Sequence, residues 1–118
     1  MKQFVQAHYR GIPSHVKVGN FKFTIDLRSR AVGDLAHMFG ACDTQTQVIW
    51  LFEGMTPENL ADTFIHEVLH AIHWVADLDD KSDEEAFTLR TAHGLCQLWQ
   101  DNPETMKWWT RINGRETA

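Results

Sequence analysis

Apolar and polar positions alternate along much of the first half of the chain and recur every three to four residues along the second. Strands are therefore expected before helices. Residues 16–18 and 21–27 carry the alternation and are joined by Gly19-Asn20, a pair suited to a tight hairpin turn. A short strand is expected at 4–8. The run Gln-Val-Ile-Trp-Leu-Phe at 47–52 is the strongest strand pattern in the chain, and it is expected at a sheet edge. Between these, 32–39 reads as a short helix, and Gly40-Ala41-Cys42-Asp43 reads as a break.

In the second half, Leu60, Phe64, Ile65, Val68, Leu69, Ile72 and Val75 fall at helical spacing and predict a largely buried helix over 57–77. Thr56 offers a capping hydroxyl and Pro57 suits the first helical position. Glu58 and Asp62 place negative charge near the positive end of the helix dipole. The acidic turn that follows leads into a second helix over 83–100, capped by Ser82 or Asp83. A third runs from Asn102-Pro103 to Asn113-Gly114, with a frayed tail at 115–118. The pattern predicts an α+β fold, a small, mostly antiparallel sheet packed on three helices, in a single domain covering 1–118.

Composition narrows the function. The chain has 118 residues, 43% of them hydrophobic, which suffices for one core. No apolar run is long enough to span a bilayer and the amino terminus lacks the apolar core of a signal peptide, so a cytoplasmic protein with no membrane partner is expected. The net charge of −5, with bases scattered, argues against nucleic acid as a partner. Cys42 and Cys96 stand far apart, outside any Cys-x-x-Cys pairing, and are expected to be buried thiols.

The candidate chemistry lies in His66-Glu67-Val68-Leu69-His70, inside the first predicted helix. One helical turn separates the two histidines, so both imidazoles leave one face and can share a zinc ion, with Glu67 beside them to take a proton. Buried, these three groups would be costly without a cation. A catalytic zinc normally takes three protein ligands and keeps one position for water. A glycine and a third histidine at the next two three-residue steps would mark another zinc class. Those positions hold His73 and Ala76, which excludes it. His73 lies roughly 10 Å from His66 along the helix axis, too far to share a small ion, and reads as a polar rim residue. Of the two acids that open the second helix, Glu85 falls with Leu89, Ala92, Cys96 and Trp99 on the stripe expected to face the first helix, whereas Glu84 lies toward its margin. Glu85 is therefore the favoured third ligand.

Together, His66-Glu-Val-Leu-His70 and the following Glu84-Glu85-Ala86-Phe87 resemble the gluzincin arrangement of zinc metallopeptidases. The likeness is greatest to small ImmA/IrrE-type proteins and to the minimal metallopeptidase-like proteins of phages and prophages. The resemblance covers roughly residues 47–102. It implies a zincin-like fold with zinc on His66, His70 and Glu85, Glu67 as general base, and a peptide or protein as substrate. His93, Tyr9 and Arg90 are candidates for an extra oxyanion donor. A zincin-fold binding or regulatory protein without turnover is the alternative. A purely structural zinc site is disfavoured, because it needs four protein ligands and has no use for Glu67. Of the adjacent Trp108 and Trp109, one ring is expected on the core and one half exposed.

Overall fold

The computed structural model describes residues 7–31 and 39–114. Four strands, β1 (His15–Val18), β2 (Phe21–Arg28), β3 (Gly40–Asp43) and β4 (Val48–Phe52), form one sheet in the order β1-β2-β4-β3. β1–β2 and β3–β4 are antiparallel and β2–β4 is parallel, so the sheet is mixed. Three helices follow: α1 (Pro57–Val75), α2 (Glu84–Asp101) and α3 (Pro103–Asn113). The α+β class follows from these elements.

Val16, Val18, Phe23, Ile25, Ile49 and Leu51 point from alternating strand positions into one core against Leu60, Phe64, Val68, Ala71 and Ile72 of α1. The opposite face of the sheet is largely exposed. There Arg28 stacks over Trp50 at 4.8 Å and pairs with Asp26 at 3.1 Å. Gly19 turns the β1–β2 hairpin at φ 60°, beside Val75, where a Cβ would come within 2.6 Å of a methyl.

α1 starts where its local signals place it, with the Thr56 hydroxyl accepting from Asn59 N at 3.2 Å and Pro57 in the first turn. It stops in a Schellman motif: Leu78 N donates to His73 O, Asp77 N donates to Trp74 O, and Asp77 takes φ 55°. α2 is capped by Asp83, whose side chain accepts from Ala86 N at 2.8 Å. Asn102 joins α2 to α3 and seals the outer edge of β1. Its amide oxygen accepts from Lys17 N and its nitrogen donates to Lys17 O, both at 2.7 Å, so the side chain stands in for a neighbouring strand.

A 3-10 turn at Ala7–Tyr9 stands where the end of a strand was expected; the rest of that expected strand, the 32–38 part of the expected short helix and the 115–118 tail lie outside the described residues. The turn is held by long-range bonds that a strand would not make. His8 Nε2 donates to Met55 O at 2.6 Å, Tyr9 OH donates to Phe52 O at 2.8 Å, and Met55 N donates back to Tyr9 OH at 3.0 Å. Gly40–Asp43, expected to be a break, forms β3, because it gains a full ladder from β4. That pairing places β4 inside the sheet and corrects its expected edge position. The edge beside α1 is β3.

Trp108 is buried, with its ring edge-on to Phe64 at 5.3 Å and Nε1 donating to His8 O. Trp109 is half-buried and donates to Ala61 O at 2.9 Å. This is the expected division between the two tryptophans. No described helix is long and apolar enough to cross a membrane.

Candidate metal centre

α1 brings His66, Glu67 and His70 together by its period alone, and its rotation separates their environments. Glu67 falls with Thr63, Phe64, Val68 and Ala71 on the face packed against the sheet and is only 7% exposed. His66 and His70 stand on the adjoining margin and are exposed, not buried as expected. Their two Nε2 atoms approach to 3.2 Å, with the rings at 77° to each other. Two nitrogens each about 2.0–2.1 Å from one tetrahedral zinc stand about 3.3 Å apart. The separation of the pair therefore matches one edge of such a coordination sphere.

The second wall is β3. Gly40 lies so close to α1 that a Cβ would meet Thr63 Cγ2 at 2.7 Å and Trp50 O at 2.9 Å, with Glu67 Cγ at 3.4 Å. Only a residue without a side chain lets the strand lie over the helix here. Burial raises the Glu67 carboxyl above the ordinary carboxylate range, and the neighbouring His66 and His70 offset part of that rise. Cys42, two residues further along β3, is half-buried. Desolvation, then the charges of Glu67 and Asp43, push its thiol up to about 11. A cavity of about 220 Å3 opens between the strand and the helix, lined by Phe39, Gly40, Asp62, Thr63, His66 and Glu67.

Other expected participants lie elsewhere. Glu85 is exposed, and so are its stripe companions Leu89, Ala92, Cys96 and Trp99, with Leu89 51% and Trp99 43% exposed. The buried side of α2 is almost opposite and runs through Phe87, Thr91, Gly94, Leu95 and Leu98. Gly94 explains the rotation: a Cβ there would meet Ile72 Cγ2 at 2.5 Å, so the helices approach through the glycine and not through the larger apolar side chains. With this packing Glu85 lies on an exposed face and not on the expected buried one, and Cys96, expected to be buried, is exposed. Among the described residues no third His, Cys, Asp or Glu joins His66 and His70 in a group that could hold a metal ion.

His73 packs its ring against Phe87 at 4.7 Å; burial, then the proximity of His70, lowers its pKa. It sits one turn past the pair, as a rim residue. The three oxyanion candidates serve other contacts: Tyr9 is bonded to backbone ahead of α1, Arg90 donates to Ala76 O at 3.2 Å, and His93 lines a separate cavity with Gly19, Val75 and Gly94.

Gly40, Cys42 and Asp62 were not anticipated as site residues. Asp62 was readable in principle, since 62, 66 and 70 repeat every four residues on one helix face. The part played by Gly40 and Cys42 depends on strand pairing, which leaves no local signal in four residues. No family model, curated protein or solved structure matches the chain.

Proposed function

We propose that the chain is a zinc-dependent peptidase of the gluzincin type, with His66 and His70 as ligands and Glu67 as general base. The observation that carries the reading is the convergence of two exposed imidazole nitrogens, 3.2 Å apart, beside a carboxylate buried in the adjoining wall. Zinc bound there would polarise a carbonyl oxygen and lower the pKa of water toward neutrality. Glu67 holds its carboxyl where burial favours the protonated form, which suits a group that must both accept a proton from water and deliver it to a leaving amine. Gly40 keeps β3 against Glu67, and among the described residues no strand pairs with the side of β3 away from β4, where an extended peptide could add. A peptide seated on that edge would run past Glu67 and the histidine pair.

A structural zinc site suits the arrangement less well, since the pair is open to solvent and Glu67 has no place in a closed four-ligand set. Glu85 stands as the third ligand by family resemblance alone. A Glu85→Ala variant that loses zinc affinity as far as His66→Ala does supports that role; unchanged affinity assigns the position elsewhere.

The peptidase reading is tested with zinc-loaded protein on a mixed octapeptide library, with cleavage read by mass spectrometry. Wild type is expected to cleave and Glu67→Gln to bind zinc but leave the library intact. Equal cleavage by the two proteins removes Glu67 from the mechanism. Absence of cleavage by wild type turns the reading toward a zincin-fold binding protein.

A further inference from the structure

The cavity beside the histidine pair has a chemistry of its own. Thr63 hydroxyl is engaged with the buried Met55 Sδ at 3.5 Å, and Gly40 contributes no side chain. Among the described residues, that leaves the ring of Phe39, 54% exposed, and the carboxylate of Asp62 as the groups that the cavity shares with His66 and Glu67. Asp62 is exposed and, among the described residues, its carboxylate has neither a hydrogen-bond nor an ion-pair partner. An aromatic face and an unpaired carboxylate attract the same kind of group, a cation carried on an apolar stem. The cavity, about 220 Å3 and open on one side, has room for one long side chain. The net charge of −5 favours encounter with basic peptides as well.

Resting on the peptidase reading, we propose that this cavity is the specificity pocket and that it takes a lysine or arginine side chain flanking the scissile bond, with Asp62 as the residue that selects it. His66 and Glu67 border the cavity, so its occupant is adjacent to the bond being cut. Asp62 lies one helical turn before His66, on a rigid helix, and presents its charge at a fixed distance from the reacting groups.

Two readouts test this. In hydrolysis, matched peptides with arginine, methionine or glutamate at the flanking position are compared by kcat/KM. Wild type is expected to favour arginine over methionine by roughly tenfold or more, the worth of a charge-assisted hydrogen bond. The preference should fall toward unity in Asp62→Asn and turn toward glutamate in Asp62→Lys. In binding, zinc-loaded Glu67→Gln protein is titrated calorimetrically with otherwise all-alanine pentapeptides that carry arginine, methionine or glutamate at the centre, and arginine is expected to bind tightest, in a manner lost with Asp62→Asn. Cleavage or binding that ignores the flanking residue, or a preference that survives Asp62→Asn, overturns the pocket and leaves the peptidase reading standing. Arginine-selective binding without cleavage by wild type upholds the pocket and overturns the peptidase. Failure of all three pentapeptides to bind overturns the pocket.

Discussion

Glu67 carries the conflict between folding and chemistry in a single side chain. Its carboxyl has a higher pKa in the folded chain than in the unfolded one, where 4.5 is the ordinary value, so folding favours the protonated form. The stability it contributes is complete below that unfolded pKa and is lost as the pH rises through the folded one. Above its folded pKa the ionised side chain weakens the metal-free fold, so at a pH above that value Glu67→Gln should raise the metal-free melting temperature while removing hydrolysis; a melting temperature lowered across the whole pH range would contradict the account of its burial. Cys42 gives a second test at this scale. With its thiol pushed up to about 11, roughly one molecule in a thousand is thiolate at pH 8, whereas Cys96 is exposed on α2. Iodoacetamide at pH 8 should label Cys96 first and leave Cys42 largely intact, as read by peptide mass spectrometry. Faster labelling of Cys42 would mean that β3 does not shelter it.

Among the elements, those with local start signals were legible and those defined by partners were not. Thr56-Pro57 and Asp83 cap α1 and α2 because a hydroxyl or carboxylate satisfies an amide three residues on, a relation written in adjacent positions. β3 has four residues and no alternation, and it is a strand because β4 pairs with it. The face of α2 misled for a related reason: a helical wheel weighs apolar side chains, while the approach to α1 is decided by the residue with none. Gly94→Ala should test this sharply. Helix propensity favours alanine by about 1 kcal/mol, but the added methyl would meet the buried Ile72 at 2.5 Å, and overpacking of this kind costs about 1–3 kcal/mol. A net loss of stability in urea unfolding is expected, and a gain would show that the helices do not meet at Gly94. Asn102→Ala removes the bonds to both backbone groups of Lys17 and a third to Leu98 O, and should cost about 2–3 kcal/mol in the same measurement. A cost under about 0.5 kcal/mol would mean that water replaces the amide at the β1 edge.

For the whole molecule, the order of strands before helices and the α+β class were legible from periodicity, because burial on one face imposes a period of two on strands and 3.6 on helices. The His66-Glu67-His70 grouping was legible for the same reason, being a property of one helix. Its surroundings were not: β3, Gly40 and the cavity arise from contacts between residues far apart in sequence. The sheet, and the clasp of His8 and Tyr9 on the segment before α1, hold that helix in place. The histidines thus sit on a rigid element with their nitrogens already at ligand separation, so zinc should bind without refolding the chain. The most direct measurement is the zinc stoichiometry and affinity of metal-stripped protein at pH 7, by calorimetric titration, for wild type, His66→Ala and His70→Ala. One zinc per chain in wild type, with affinity lost in both variants and the circular dichroism of all three unchanged, is the predicted result. Failure of wild type to bind zinc, or binding that survives either substitution, would contradict the account at its centre.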